Sequence, residues 1–511
     1  MMLPRTFASS LGKHQNIALA ALGGLSFVLY TLLSRQGADS GPVAIEATLQ
    51  HFFVILAGLF ALLLAAAMII RRTTQQQRQV HSALAIILLG AVLFRAMLLS
   101  QPPWLSNDIY RYLWDARLVD RGVNPYAFSP QADELTGLRD SVIFPKVDHK
   151  YVYSVYPPLL QGLFWAGLRV SQAFAVPAFA GLKLIFALVD LGLVCVLFRL
   201  LTQAQIDPRW ALLYAWHPLP IIEIAGSGHT DGVGACALVL TISCLIQRRF
   251  SAAAVFLALG FLVKFITIFF LPFLFLAVWK QVSFKKAMSI TGLFVLVVAG
   301  SYAPFTAAGE KLFSGLMVYF EKWRFNDGFF SLVFTPIHWI LPDGLVKFFM
   351  IPSHWEMSEI TLTTRRIDLA LIIAKLIAGG IFLFIYLRVW LREFKLEAMS
   401  RADWSWPAIM LIVLAAFFLL SPTLQPWYLI WLLPVLCFRD ALLAFEASTR
   451  MILPLWILSA TVFLSYWVLA NYLPQGLWQE PQWVKWVEYG MPLGFWLWSG
   501  RSHRRAALMN P

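Results

Sequence analysis

The stretch HFFVILAGLFALLLAAAMIIRR (His51–Arg72) decides the fold. From His51 to Ile70 no Asp, Glu, Lys or Arg interrupts the apolar run, and Arg71-Arg72 close it. A helix rises about 1.5 Å per residue, so a run of this length crosses a hydrocarbon core of about 30 Å. Further apolar runs fall at 17–34, 82–100, 182–201, 210–227, 230–247, 252–264, 266–279, 286–304, 367–392, 406–422, 427–438, 452–471 and 484–499. The composition of the 511-residue chain agrees: 59% hydrophobic, 13% charged, mean hydropathy +0.70. Soluble domains carry about 25% charged residues, and half that density cannot cover a water-facing surface of this size. The chain reads as an all-α polytopic membrane protein of about fourteen transmembrane helices, the pair 252–264 and 266–279 forming a short hairpin. Disorder, coiled coil, a disulfide scaffold and a cytosolic enzyme are excluded.

The net charge of +13 comes from 40 Lys and Arg against 27 Asp and Glu. In a membrane protein such an excess gathers in short cytoplasmic loops, so nucleic acid is not an expected partner. With the basic N-terminus inside, Arg71, Arg72 and Arg78, then Arg199 and Arg209, Arg248 and Arg249, Lys280, Lys285 and Lys286, Arg388, Arg392 and Lys395, and Arg501, Arg504 and Arg505 all fall on one side. Both termini are then cytoplasmic, and two long segments, 101–180 and 306–366, face outward. The amphipathic stretches Leu159–Leu168 and Leu332–Leu341 suit helices lying in the interface. Residues 1–511 form a single integral membrane domain, whose first apolar run reads as a span rather than a cleavable leader. Cys195, Cys236, Cys244 and Cys437 sit in apolar runs and behave as small hydrophobes, with no metal site implied.

Chemistry is expected on the outer face. Trp104-Leu105-Ser106-Asn107-Asp108-Ile109-Tyr110-Arg111-Tyr112 follows a span directly. A carboxylate beside aromatics at the water boundary is partly desolvated and becomes a better base; Asp108 can equally cap the helix that starts there. Asp115, Arg117, Asp120 and Arg121 read as that helix's solvated face. Gly122-Val123-Asn124-Pro125-Tyr126 is a turn, and Tyr156 before Pro157-Pro158 is extended. Gly226-Ser227-Gly228-His229-Thr230-Asp231-Gly232 joins two spans, either aiming His229 and Asp231 at the first loop or merely capping the next helix. Lys264, in the hairpin, is costly in a membrane unless paired or wet, which marks it as functional. Lys183 and Asp190 lie two turns apart on one face and read as helix packing. Trp323-Arg324-Phe325-Asn326-Asp327 offers a cation and an amide among aromatics, fit for an anionic, partly apolar ligand or an interfacial belt. Ser421-Pro422-Thr423-Leu424-Gln425-Pro426-Trp427-Tyr428 is another outer turn.

In their order and spacing these features resemble the GT-C superfamily of polyprenyl-phosphate-sugar-dependent glycosyltransferases, and within it the GPI-type mannosyltransferase catalytic subunit and its bacterial relatives. The resemblance rests on Asp108, Gly122 to Tyr126, Tyr156 to Leu159, Asp190, His217 to Pro220, Gly228 to Asp231 and Lys264, covering about residues 100–280. Two positions depart from the pattern. Ser106 stands where the family's Asp-x-Asp motif has its first aspartate, which keeps a single carboxylate base and leaves a bound divalent cation unsupported. His229 replaces the family's asparagine.

The resemblance implies an inverting transfer of a hexose, mannose in the family, from a polyprenyl-phosphate donor to a glycan, glycolipid or protein hydroxyl, among membrane lipids at the periplasmic face of a bacterial inner membrane. No cofactor is implied. Asp108 is the expected base. Lys264, Arg324, Arg111, His149 and Lys150 are candidates for the donor phosphate, and Tyr110, Tyr156, His229, Asp231 and Asn326 for the sugar or acceptor. The competing readings are a ligase or polymerase of lipid-linked glycans and a transporter or flippase. Carriers show repeated halves and midplane sites, whereas polar residues here gather in the outer loops and no half-to-half repeat is visible.

Overall fold

The structure, a computed structural model, describes residues 5–36, 44–72, 77–350, 359–396, 405–438 and 446–509. Residues 351–358 of the expected outer segment 306–366, and the extreme termini, lie outside them. The described residues are all-α: they contain no strand, only a single parallel bridge between Phe325 and Thr423.

Seven of the apolar runs become helices long enough to cross a membrane: His14–Ser34, Ile45–Arg71, Val80–Leu99, Ala178–Gln203, Phe284–Lys322, Thr361–Lys395 and Arg450–Gln475. Their outward faces are apolar, with Val54, Leu64, Met68 and Leu89 exposed, as lipid contact requires. The other expected spans are shorter or broken. Asp231–Ile246, Phe250–Phe261, Phe265–Gln281 and Trp406–Leu420 have 10–17 residues. The run 210–227 divides at Pro218 and Pro220 into short turns, and 427–438 divides around Pro434. The run 484–499 lies within helix Gln482–Met509, which carries Pro492. Among the described residues, seven helices are thus long and apolar enough to cross as single helices, and the remaining apolar runs form helices that are shorter, broken at prolines or interrupted by one.

The two stretches expected in the interface differ. Leu159–Leu168 lies in helix Pro158–Ala173, which packs between helix Asp108–Asp120 and the span Ala178–Gln203. The backbones come very close there: a Cβ on Gly181 would stand 2.3 Å from the Gly167 carbonyl oxygen. Leu332–Leu341 begins in helix Gly328–Ile340, which bends by 102° at Leu341-Pro342 into Asp343–Met350.

A closed polar cluster ties three of the inner elements. Arg95 Nε donates to Asp190 Oδ2 at 2.6 Å, Arg95 also donates to the Ala215 carbonyl at 2.9 Å, and Tyr214 donates to Asp190. Lys183 donates to the carbonyls of Gln101 (2.6 Å) and Leu98 (3.4 Å), pinning the span's end to the start of the first loop. That pinning fixes where the loop leaves the bundle, and hence where Asp108 stands.

Candidate active site

Asp108 is the first residue of helix Asp108–Asp120, but its carboxylate does not cap it; Ser106 Oγ accepts from the Asp108 N–H at 3.2 Å instead. Ile109, one residue on, lies against Gly228, where an added Cβ would be 2.5 Å from Ile109 Cδ1. Gly228 also has φ +83°, so both space and backbone demand glycine. This contact brings the two polar loops together. His229 Nδ1 lies 3.8 Å from Asp108 Oδ2.

The next residues complete the cluster. Asp231 Oδ1 accepts from Lys264 Nζ at 2.8 Å and from Trp431 Nε1 at 2.7 Å, so this aspartate is also not spent on capping. Lys264 Nζ sits 3.3 Å from the centroid of the Tyr428 ring, and the Tyr428 hydroxyl meets that of Tyr319 at 2.5 Å. The His229 ring stacks on Trp427 with centroids 3.5 Å apart. Behind His229, Nε2 faces Glu223 Oε2 at 3.5 Å, and Glu223 accepts from Tyr466 at 2.9 Å. Tyr112 and Tyr156, edge to face at 4.9 Å, close the Asp108 side. Exposure is uneven: the Asp108 side chain is 39% exposed and Lys264 25%, against 1% for His229 and 5% for Asp231. The crevice thus presents a carboxylate and an ammonium at its mouth and keeps their partners inside.

Electrostatics favour a proton acceptor. Enclosure by protein raises the Asp108 carboxyl to about 7; the negative charges of Asp148 and Asp231 add to the shift, and Lys264 opposes it. Burial, with Lys264 nearby, holds His229 far below the usual imidazole range, so it is neutral.

A profile described as MptA_B family, alpha-(1->6)-mannopyranosyltransferase, N-terminal domain, matches residues 17–280. The chain belongs to this family. The matched residues include Asp108, Glu223, His229, Asp231 and Lys264, so the mannosyltransferase family's domain contains most of the crevice, while Tyr319, Trp427, Tyr428 and Tyr466 come from beyond it. No curated protein matches the chain. As a member of a mannosyltransferase family, the protein is a membrane glycosyltransferase.

Other residues singled out in the sequence take different places in this mannosyltransferase. Arg111 donates to Asp115 Oδ1 and the Val152 carbonyl, both at 2.9 Å, and Asp115 accepts from Ser154 at 2.5 Å: of the residues expected on a solvated face, Asp115 is buried and anchors the loop, Arg117 and Asp120 are half-buried, and Arg121 is exposed. Lys150 Nζ donates to the Val147 carbonyl at 2.6 Å, and Tyr110 accepts from Lys146 at 3.2 Å. His149 packs against Trp323 at 4.6 Å, and Trp323 in turn stacks on Tyr319 at 5.2 Å, so His149 stands at the rim. Arg324 pairs with Asp327 at 2.5 Å, and Asn326 donates to Glu488 at 2.6 Å, in a second cluster joined by Lys485. Phe325 links that cluster to the Trp427 turn through its hydrogen bonds with Pro422 and Leu424.

Glu223 and Arg95 went unnoticed as candidates, although each is a charge inside an apolar run, the signal that marked Lys264. Trp427 and Tyr428 were legible only as an aromatic turn; nothing local reveals that they lie over His229 and Lys264.

Proposed function

We propose that the protein transfers mannose from a polyprenyl-phosphate donor to a hydroxyl of an envelope glycan, glycolipid or protein, at the periplasmic face of a bacterial inner membrane. The observation that carries this reading is the presence, at one crevice mouth, of an accessible carboxylate whose pKa is raised to about 7 and a partly exposed lysine over an aromatic ring. Asp108 takes the proton from the acceptor hydroxyl as its oxygen attacks the anomeric carbon. The bond from that carbon to the phosphate oxygen breaks, and the electron pair leaves with the phosphate. A single displacement inverts the anomeric centre, turning a β-linked donor into an α-linked product. Lys264, aligned by Asp231, stabilises the departing phosphate; His149 at the rim, kept neutral by burial, offers a ring N–H to it, and Arg111 and Arg324 serve through the loops they brace. The faces of Tyr156, Trp427 and Tyr428 offer apolar surfaces to the sugar.

Purified protein supplied with radiolabelled polyprenyl-phosphate mannose, nucleotide-linked mannose or a diphosphate-linked oligosaccharide tests the reading. Transfer from the monophosphate lipid alone is expected. Transfer only from the nucleotide sugar, or only from the diphosphate lipid, contradicts it, the latter in favour of a glycan ligase.

A further inference from the structure

Behind the crevice mouth, three side chains stand in line: Asp108 Oδ2, 3.8 Å to His229 Nδ1, and His229 Nε2, 3.5 Å to Glu223 Oε2. His229 is 1% exposed and Glu223 is fully buried. His229 Nε2 makes no hydrogen bond, so a buried ring nitrogen is aimed at a carboxyl oxygen without yet bonding it. Contacts of this length are usual for catalytic groups before substrate closes on them.

The protonation of the line follows from its surroundings. Glu223 is met by the hydroxyls of Tyr466 and Ser227 and by His229, none of them a cation in this setting. An uncompensated buried carboxylate is strongly disfavoured, so Glu223 is carried as the neutral acid. Its O–H then donates to His229 Nε2, and the single hydrogen of a neutral imidazole must sit on Nδ1, facing Asp108. The other charges around His229 leave this assignment in place. Lys264 is held by Asp231, and Lys183, whose stem lies against Gly228, turns its ammonium to the Gln101 and Leu98 carbonyls. Trp427 clamps the ring from its face.

We propose that Glu223 is a positioning residue which, by donating to His229 Nε2, fixes the imidazole tautomer that holds Asp108 Oδ2 and leaves Oδ1 free for the acceptor hydroxyl. The inference rests on Asp108 being the base. It assigns a role to the histidine that stands where the resemblance has asparagine: a side-chain amide can donate to Asp108 unaided, whereas an imidazole needs a group behind it to choose which nitrogen carries the hydrogen.

The test is a set of variants assayed for kcat, donor KM and pH profile. Glu223→Gln keeps a donor toward Nε2 and is expected within about threefold of the parent kcat. Glu223→Leu removes the donor; kcat is expected to fall at least about tenfold with donor KM unchanged, and the acidic limb to move to higher pH as Asp108 loses a hydrogen bond to its charged form. In a His229→Asn background Glu223→Leu should cost nothing further, because Glu223 acts only through the ring. Parent-like kcat in Glu223→Leu, equal loss in Glu223→Gln and Glu223→Leu, or additive losses with His229→Asn would overturn the proposal. Where Glu223→Leu does not fold, Glu223→Asp replaces it: a carboxyl one methylene short of the ring should lose kcat where Glu223→Gln keeps it, and equal activity of the two overturns the proposal. Asp108→Asn separates the layers: if it is inactive while Glu223→Leu is fully active, only the positioning role fails; if it is active, the base assignment itself fails.

Discussion

Asp108 opens the short helix Asp108–Asp120 that follows a span, Asp190 lies inside the long apolar helix Ala178–Gln203, and the protein treats the two aspartates oppositely. Asp190 is fully buried, and its charge is answered at 2.6 Å by Arg95 with Tyr214 adding a hydrogen bond. Asp108 is 39% exposed; its nearest basic side chain is a neutral histidine at 3.8 Å, with Asp148 and Asp231 adding repulsion. A carboxylate enclosed and neutralised by a buried guanidinium has neither the access nor the raised proton affinity to act as a base. One that is partly desolvated, crowded by like charges and open on one side has both the affinity and the access. The comparison separates a group that holds helices together from one that can do chemistry, although both stand in polar interruptions of apolar sequence.

Variants at the two sites should therefore fail in different ways. Asp108→Asn should lower turnover by about 10²–10⁴-fold with donor binding and thermal stability nearly unchanged, read by transfer of labelled mannose and by a melting curve in detergent. Arg95→Met should instead destabilise the fold by about 3–5 kcal/mol by leaving Asp190 buried and unpaired, and Arg95→Met with Asp190→Leu should recover much of that loss. If Arg95→Met melts like the parent and loses only kcat, the division between the two sites is wrong. Lys264→Met should reduce kcat by about 10²-fold, the scale expected for one charge that stabilises a leaving group. Trp427→Leu, which removes the stack on His229 worth about 1 kcal/mol, should lower kcat roughly fivefold by loosening the imidazole beside Asp108, read by labelled transfer.

The residues that were legible in the sequence are those whose setting is local. Apolar runs specified an all-α membrane fold because length and hydropathy alone fix a crossing. Asp108 stood out because it follows a span within an aromatic stretch, and Lys264 because an ammonium among Phe, Leu and Ile has no bland explanation. What escaped depends on distant pairing. Glu223 looks like one polar break in a run divided by Pro218 and Pro220, until Tyr466, 243 residues later, donates to it. Trp431 lies 200 residues from Asp231, to which it donates. The breaks within the apolar runs around the site also escaped: the segments are apolar enough to span, but prolines divide them into shorter helices.

The pH dependence of kcat/KM tests the central assignment most directly. Asp108 accepts a proton only when ionised, so activity should rise about tenfold per pH unit on the acid side and level off near pH 7, with a one-proton limb. A rate that is flat from about pH 5 to 8, or that falls as pH rises through 7, would contradict Asp108 as the base.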